Sequence, residues 1–247
     1  MGNALAEAVS ISVVVPVKDE AGNAAPLARE IAAALKDEGP FEIVFVDDGS
    51  SDRTAEELLA LRPALPVRIL KHGRNLGQSR ALRTGVRAAR ADIVVTLDGD
   101  GQNDPADIPK LIRAFEAEAA NPMLGMIAGE RVGRKDTWSK RAASRLANRL
   151  RRAALGDNAN DTGCSLKLFR REVYLTLPYF DHMHRYLIAL VAREGYEVHF
   201  VPVSHRPRGA GHSKYGVWDR ALVGIRDLMG VMWLVRRFRG AAEIKEL

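Results

Sequence analysis

The chain has 247 residues, of which 47% are apolar and 28% are charged. This balance is typical of a globular protein and argues against a disordered or membrane-spanning chain. The length favours one large α/β domain with an appendage. The single cysteine, Cys164, excludes an internal disulfide, and no Cys or His spacing matches a zinc site. The first ten residues lack the basic start and long apolar stretch of a secretory signal, which predicts a cytoplasmic location.

The net charge of +6 is unevenly distributed along the chain. Between Arg131 and Arg152 there are nine basic residues and one acidic residue, and between Val203 and Arg239 there are eight and two. The N-terminal part is therefore mildly acidic and the C-terminal part strongly basic. We expect the basic part to face an anion, which could be a pyrophosphate, a phosphorylated acceptor, an anionic membrane surface or a nucleic acid.

The N-terminal half alternates short apolar runs with segments of helical periodicity. Four strand-then-helix units predict a mostly parallel sheet with helices on both faces, an α/β fold of the Rossmann-like type. The predicted strands are Ile11–Val17, Phe41–Val46, Val67–Leu70 and Asp92–Leu97. The first predicted helix ends at Leu35, and the next three span Asp52–Leu61, Gln78–Arg90 and Pro105–Glu118.

Polar loops follow the predicted strands at their carboxyl ends. In a doubly wound sheet these loops form the ligand crevice. They are residues 18–22, 47–52, 71–77 and 98–104.

The pattern changes after a fifth apolar run. We expect a basic helix whose arginines share one face, and a solvated face is the simplest explanation for Arg145, Arg149 and Arg151. A loop, a strand and a short helix follow it, then another helix, a strand and a glycine-rich basic loop. The fifth apolar run is Met123–Gly129, and the predicted basic helix is Trp138–Leu155. Asp161–Pro178 contains the loop, the strand and the short helix. The next helix is His184–Glu194, followed by the strand Glu197–Val203 and the basic loop His205–Lys214.

The last predicted helix, Val217–Arg239, is amphipathic and rich in arginine. Its longest uncharged apolar run, Leu228–Val235, is far shorter than the roughly 18 residues that a membrane span needs. The helix either packs on the domain or lies in a membrane interface. We therefore divide the chain into a catalytic domain, residues 1–215, and a C-terminal helix, residues 216–247. The apolar face is predicted to carry Trp218, Leu222, Ile225, Met229 and Met232.

The run LDGDGQNDP, from Leu97 to Pro105, places acidic side chains directly after a strand. Asp98 and Asp100 lie two residues apart, and Gln102 adds a third oxygen. Oxygen ligands of this kind suit Mg²⁺ or Mn²⁺. The alternative is a turn in which Asp and Gly serve only backbone geometry.

Two other crevice loops carry residues suited to a nucleotide. Asp47 and Asp48, in VDDGSSD, are placed to hydrogen-bond a base or ribose, although Asp52 and its neighbouring serines also suit a helix cap. In PVKDE, Lys18 or Glu20 offers a polar contact.

These residues together resemble the family 2 glycosyltransferases of the GT-A fold, in their dolichyl-phosphate mannose synthase-like or polyprenyl-phosphate branch. Four motifs match in order and at similar spacing, and the likeness covers nearly the whole chain. They are VVVPVKDE from Val13, FVDDGSSD from Phe45, GRNLGQSRALRTG from Gly73 and TLDGDGQNDPADIP from Thr96.

The resemblance implies roles for residues of the donor site. The nucleoside pocket would be lined by Pro16, Lys18, Glu20, Asp47 and Asp48. The cation and diphosphate would be held by Asp98, Gly99, Asp100 and Gln102. Lys18 replaces the aromatic residue frequent at its position, so the choice between uracil and guanine stays open.

The resemblance also implies roles in the basic half. Arg131, and then Lys140 or Arg141 with Ser144, would receive phosphate groups. Asp161 corresponds to an acidic residue near the acceptor and the donor sugar. A basic loop containing Arg206, Ser213 and Lys214 resembles the loop that closes over the donor phosphates.

The implied reaction is a single inverting displacement that uses a nucleotide sugar, either GDP-mannose or a UDP-sugar. Asp98, Arg131 and Asp161 would be catalytic. A polyprenyl phosphate acceptor is already anionic because its second ionisation lies near pH 6, whereas a hydroxyl acceptor would need Asp161 as a base.

The resemblance and the basic C-terminal stretch together predict a peripheral enzyme on the cytoplasmic leaflet, with an anionic membrane surface as a partner. A non-prenyl lipid acceptor, a soluble hydroxyl acceptor and a homo-oligomer stay open. A sugar nucleotidyltransferase would need a more glycine-rich first loop than PVKDEAGN. Nucleic acid is not an expected partner, because the clustered aspartates would repel its phosphates.

Overall fold

The computed structural model describes residues 9–132, 151, 155–157, 159, 161–206, 217–238 and 240. Seven of their strands form a single sheet. The strands are β1 (Ile11–Val17), β2 (Phe41–Asp47), β3 (Val67–Lys71), β4 (Ile93–Thr96), β5 (Leu124–Arg131), β6 (Lys167–Arg170) and β7 (Glu197–Val203). The α-helices are α1 (Ala24–Leu35), α2 (Thr54–Leu59), α3 (Gln78–Ala88), α4 (Ile108–Glu116), α5 (Arg171–Thr176), α6 (Leu187–Arg193) and α7 (Val217–Arg237).

The strand order is β3-β2-β1-β4-β6-β5-β7. β1, β2, β3 and β4 are parallel, as are β5 and β7, whereas β6 is antiparallel to both of its neighbours. Strand order reverses between β1 and β4, because the chain moves outward from β1 to β3 and then returns to the other side of β1. The crevice beyond such a reversal is where ligands bind in open α/β sheets.

Two apolar clusters fill the space on either side of the sheet. Side chains of α1, α2 and α4 cover one face, and side chains of α3, α5, α6 and α7 cover the other. All seven residues of β1 are buried, which explains why this strand has a continuous apolar sequence and no alternation.

The α/β architecture predicted from the sequence is confirmed. Most element boundaries agree within two residues, and the loop-strand-helix order expected after Asp161 is present. The helix expected from His184 begins instead with a 3₁₀ turn, Met183–Arg185, before α6. Most of Trp138–Leu155 and of His205–Lys214 lies outside the described residues.

The prediction that Arg151 belongs to a solvated arginine face is wrong. Its side chain is 11% exposed, and its Nη1 lies 2.5 Å from Asp157 Oδ2. Nη2 also donates to Asp157 Oδ1 and to the carbonyl oxygen of Ala159. Arg151 therefore holds Asp157 and Ala159 in place, because a buried guanidinium needs a carboxylate and carbonyl oxygens to compensate its desolvation.

Helix α7 packs one face on the domain and exposes the other. Val231 is fully buried, and Leu228 and Val235 pack against the same apolar cluster. The opposite face carries a stripe at four-residue spacing, in which Ile225, Met229 and Trp233 are 56%, 58% and 60% exposed.

The apolar face predicted for this helix is therefore divided, since Met232 turns toward the domain while Ile225 and Met229 turn away. The side chains of Trp218 and Leu222 lie outside the described residues. Within the described part of the chain, no helix is long and apolar enough to cross a membrane.

Candidate active site

The loop after β4 lies directly on the end of β1. Gly99 makes this contact possible, because a Cβ at this position would lie 2.5 Å from Val17 Cγ1 and 3.0 Å from the carbonyl oxygen of Pro16. Gly99 and Pro16 were both predicted to line the donor pocket. The structure gives them a shared packing role that fixes the flanking aspartates, Asp98 and Asp100, at the crevice between β1 and β4.

Asp98 and Asp100 are both half-buried. Asp98 Oδ1 accepts a hydrogen bond from Gln78 Nε2 at 2.7 Å, and Asp100 Oδ1 accepts one from the backbone amide of Gln102 at 3.1 Å. Burial and the nearby Asp100 carboxylate raise the pKa of Asp98. Two carboxylates held together in a poorly hydrated loop favour a bound cation, since it would relieve both the repulsion and the lost hydration. Oxygen ligands of this type fit Mg²⁺ or Mn²⁺.

A second group of possible metal ligands lies at the amino end of β7, away from the crevice. Glu118, Glu197 and His199 place their ligand atoms within 4.8 Å of one another. Glu197 pairs with Leu124 at the start of β5, whereas the crevice lies beyond the carboxyl ends of the strands. This cluster is therefore separate from the predicted donor site.

Asp47 lies at the end of β2 and is fully buried. Its Oδ1 accepts a hydrogen bond from the Ser50 amide at 2.7 Å. Its Oδ2 is buried without a hydrogen bond and lies 3.5 Å from Lys71 Nζ. A buried acceptor with spare capacity is suited to a ligand N–H group, as the sequence predicted for the nucleoside pocket. Lys71 was not predicted, although a basic residue at the end of a strand that borders the crevice was an available signal.

Asp48 accepts several hydrogen bonds from the third crevice loop. Its Oδ1 accepts from the Leu76 amide at 2.9 Å and contacts His72 Nδ1 at 2.7 Å, and its Oδ2 accepts from the Gly77 amide at 2.8 Å. Both carboxylate oxygens are therefore engaged within the protein. This geometry favours a supporting role, and contact between Asp48 and a nucleoside stays a prediction.

The first crevice loop is tied to the second by polar contacts. Lys18 Nζ donates to the carbonyl oxygen of Gly49 and to Asp19 Oδ2, both at 3.2 Å. The Glu20 amide donates to Thr54 Oγ1 at 2.9 Å. Lys18 and Glu20 thus lie in a loop that is tied to the second crevice loop, and the nucleoside role predicted for them stays a prediction.

Arg131 and Asp161 form a two-point ion pair. Arg131 Nε lies 2.6 Å from Asp161 Oδ2, and Nη2 lies 2.7 Å from Oδ1. Their side chains are 15% and 12% exposed. The hydrogen bonds to Asp161 raise the pKa of Arg131, and the Asp98 charge acts in the same direction. The sequence suggested both residues as catalytic groups but did not predict that they bind each other.

Gly163 gives the Arg131 guanidinium its space. A Cβ at this position would lie 2.8 Å from Arg131 Nη2. The Gly163 amide also donates to Asp161 Oδ1 at 3.2 Å. The DTG sequence thus supplies both the carboxylate and the open space that the ion pair requires.

Lys167 is a buried cation that the sequence predictions missed. It lies on β6, is 3% exposed, and donates from Nζ to the carbonyl oxygen of Cys164. Burial lowers the pKa of Lys167, whereas the carboxylates of Asp98 and Asp161 act in the opposite direction. The available signal was a single lysine inside the apolar run CSLKLF.

Arg206 is paired with two carboxylates. Its Nη1 lies 2.6 Å from Glu30 Oε2, and its Nη2 lies 2.6 Å from Asp104 Oδ1. Its backbone amide donates to the carbonyl oxygen of Gln102, which joins the end of β7 to the aspartate loop. Arg206 and Asp100 also line a cavity of about 240 Å³ beside α1.

The other predicted phosphate-binding residues lie outside the described part of the chain. They are Lys140, Arg141, Ser144, Ser213 and Lys214.

Solved structures share this architecture. Glucosyl-3-phosphoglycerate synthase from Mycobacterium tuberculosis, in complex with Mn²⁺, uridine diphosphate and phosphoglyceric acid, aligns with a TM-score of 0.67 at 18% identity over 95% of this chain and 80% of that one. Mannosyl-3-phosphoglycerate synthase from Rubrobacter xylanophilus aligns with a TM-score of 0.68 at 16% identity, over 95% and 77%. At these identities the likeness shows the GT-A fold.

Sequence relatives are more similar. Dodecaprenyl-phosphate galacturonate synthase from Rhizobium johnstonii is 35% identical over 237 residues, which are 93% of this chain and 68% of the relative. Undecaprenyl-phosphate 4-deoxy-4-formamido-L-arabinose transferase from Edwardsiella ictaluri is 37% identical over 210 residues, which are 84% of this chain and 63% of the relative. The chain thus spans about two thirds of the length of these relatives.

The family model for glycosyl transferase family 2 matches residues 12–177. This range begins in β1, contains the Asp98–Asp100 loop and ends after α5. The chain therefore belongs to glycosyl transferase family 2.

Proposed function

We propose that this protein transfers a sugar from a nucleotide-sugar donor to a polyprenyl phosphate, with inversion at the anomeric carbon and with Mg²⁺ or Mn²⁺ as cofactor. The observation that carries the proposal is the juxtaposition of opposite charges at the crevice. The loop that carries Asp98 and Asp100 packs on the end of β1 through Gly99, and Arg131 and Lys167 are close enough to Asp98 to influence its pKa. Such a site suits a cation-bound diphosphate.

The donor half is supported by the geometry of the crevice loops. Asp98 and Asp100 would hold the divalent cation, which would neutralise the charge that develops on the leaving diphosphate. Asp47 has a buried oxygen free to accept an N–H group of the base, and Lys71 can donate to a base carbonyl. We propose Gln102 as a third cation ligand, although its backbone amide is the group seen beside Asp100.

The acceptor half is supported by the relatives. Both are named for activity on a polyprenyl phosphate, and the alignment with each covers 84% of this chain or more. In this proposal Arg131, supported by Asp161, receives the acceptor phosphate. Positioning and charge neutralisation then carry the rate.

The geometry favours Asp161 as a positioning residue for Arg131. Both carboxylate oxygens of Asp161 are hydrogen-bonded to the guanidinium. A phosphate with a second pKa near 6 is largely dianionic at neutral pH and needs no strong base to act as a nucleophile. A hydroxyl acceptor would need such a base, so the pairing of Asp161 supports the phosphate acceptor.

The reaction can be tested with a donor and acceptor panel. The protein would be incubated with Mn²⁺ or Mg²⁺ and UDP- or GDP-sugars, with and without polyprenyl phosphate, and the products identified by mass. We expect a glycosyl polyprenyl phosphate that requires the divalent cation, and no product from Asp98→Asn. Transfer only to a soluble hydroxyl acceptor would contradict the lipid assignment. Activity unchanged by chelation would contradict the cation site.

We further propose that the enzyme is peripheral on the cytoplasmic leaflet and that α7 contacts anionic lipid. Met229 and Trp233 of the exposed stripe, which also contains Ile225, line a shallow cavity of about 510 Å³ together with Arg236 and Arg237. An apolar stripe with tryptophan beside arginines fits the headgroup boundary of an anionic bilayer.

Vesicle flotation tests this contact. We expect the protein to float with phosphatidylglycerol-containing vesicles, and Trp233→Ser to float less at the same lipid concentration. Leu59→Ser is a matched control, because Leu59 is 48% exposed on α2, away from this stripe. Equal flotation of Trp233→Ser and wild type would contradict the contact through α7.

A further inference from the structure

We propose that Gln78 is a positioning residue for the donor site, because its amide holds one oxygen of Asp98 and thereby fixes the orientation in which this carboxylate meets the divalent cation. The inference rests on the proposed function, since it concerns the same cation site. Gln78 Nε2 lies 2.7 Å from Asp98 Oδ1. A carboxylate accepts hydrogen bonds only, so the amide nitrogen of Gln78 is the group that faces it.

The backbone on either side of Gln78 is firmly held. On one side, Asp48 Oδ2 accepts from the Gly77 amide at 2.8 Å, and Gly77 has a φ of 89°, a conformation that favours glycine. On the other side, Ser79 is fully buried and its Oγ lies 2.8 Å from His184 Nδ1. Gln78 therefore starts α3 from a fixed backbone position, and its side chain reaches Asp98 from a rigid element.

The neutrality of this donor matters for the cation. A lysine at position 78 would offer Asp98 a formal positive charge and would compete with a divalent ion for the carboxylate. The glutamine amide orients the carboxylate while leaving its negative charge in place. Hydrogen-bond partners of a metal ligand typically change metal affinity or activity 10- to 100-fold when they are removed.

The test measures cation binding directly. Binding of Mn²⁺ in the presence of saturating UDP or GDP would be measured by titration calorimetry and by Mn²⁺ electron paramagnetic resonance. We expect Gln78→Leu, which keeps the size but loses the donor, to weaken Mn²⁺ binding about 10- to 100-fold. We expect Gln78→Lys to weaken it at least as much. The Mn²⁺ concentration that gives half-maximal transferase activity should rise in parallel.

Asn75→Ala is the matched control for the loop. Asn75 Oδ1 accepts from the Gly77 amide at 3.0 Å, so its loss removes a hydrogen bond beside Gln78 without touching Asp98. We expect near wild-type Mn²⁺ binding from this variant. Thermal unfolding of each variant would show whether a weakened cation site reflects a general loss of structure.

The outcomes separate this inference from the proposed function. If wild type binds no Mn²⁺ with either UDP or GDP, the donor-site proposal fails. If wild type binds Mn²⁺ and Gln78→Leu binds it equally well, the donor site stands and the role of Gln78 is refuted. Equal weakening by Gln78→Leu and Asn75→Ala would also refute it, because the effect would then belong to the loop.

Discussion

The buried ion pair between Arg131 and Asp161 leads us to expect a large loss of stability in the variant Asp161→Asn. The two side chains are 15% and 12% exposed, and the pair is joined by contacts of 2.6 and 2.7 Å. The asparagine keeps one oxygen acceptor for the guanidinium but removes the compensating charge. The Arg131 guanidinium would then remain mostly buried with an unbalanced charge.

The expected cost follows from the burial of the pair. Removing one partner of a buried ion pair typically lowers the free energy of unfolding by about 3–5 kcal/mol. Because asparagine keeps one oxygen acceptor for Arg131, we expect Asp161→Asn to lie at the low end of this range, at about 3 kcal/mol. For a chain of this size, each kcal/mol lowers the unfolding midpoint by about 2–4 °C. We therefore expect the midpoint of thermal unfolding to fall by about 6–12 °C.

Asp157→Asn provides a control with a similar pair. Asp157 pairs with Arg151 at 2.5 and 2.8 Å, and these side chains are 1% and 11% exposed. We expect a comparable loss of stability from both variants. Only Asp161→Asn should lower kcat, by about 10- to 100-fold, because Arg131 would no longer be held for the acceptor phosphate.

The pH profile separates positioning from base catalysis. If Asp161 positions Arg131, the low-pH limb of kcat should persist in Asp161→Asn, because the ionisation of the acceptor phosphate produces that limb. Loss of that limb together with unchanged stability would refute the positioning role. An unfolding midpoint equal to that of wild type would refute the reasoning about the buried charge.

Two further predictions concern Arg206 and His184. Glu30→Gln should tighten UDP binding about two- to fivefold in calorimetry with Mn²⁺, because an exposed ion pair contributes up to about 1 kcal/mol and Arg206 must leave Glu30 to reach a diphosphate; unchanged affinity would show that Arg206 stays on its carboxylates. Burial lowers the pKa of His184 from 6.5 to about 3, so the folded state keeps this ring neutral where the unfolded chain protonates it. Protonation of His184 therefore leaves the free energy of unfolding unchanged above pH 6.5 and lowers it as the pH falls toward 3, by about 2 kcal/mol between pH 6.5 and 5. The urea midpoint of wild type should therefore fall more than that of His184→Asn over this range, and equal falls would contradict the assignment.

The fold was largely predictable because its strands are short apolar runs between helical segments. β1 is buried throughout, so its sequence ISVVVPV shows no alternation and identifies a central parallel strand. The position of β6 was not predictable in this way. It inserts antiparallel between β4 and β5, and this pairing depends on contacts between segments about 40 to 75 residues apart that local periodicity does not encode.

The residue types of the candidate donor site could be predicted from the sequence, but most of their contacts could not. The loop that contains Asp98 follows a strand, so its place at the crevice follows from the sheet rule. The partners of its side chains do not follow from that rule. Gln78 lies 20 residues from Asp98, and Arg206 lies 176 residues from Glu30, so each contact depends on the completed packing. Lys167 was missed because its run reads as an ordinary buried strand.

The folded structure also changes how the basic C-terminal half is interpreted, because it shows arginines paired with carboxylates. The excess of basic residues in the C-terminal half led us to expect that this half faces an anion, and two of its described arginines already have carboxylate partners, Arg131 with Asp161 and Arg206 with Glu30. A phosphate that binds one of these arginines must compete with a carboxylate, so the net gain is a difference between two ion pairs. A dianionic phosphate gains more from that exchange than a singly charged ligand does, because the competing carboxylate carries a single charge. Paired arginines therefore favour highly charged phosphates over other anions, and this preference suits the proposed reaction, which has both a diphosphate leaving group and a phosphate nucleophile.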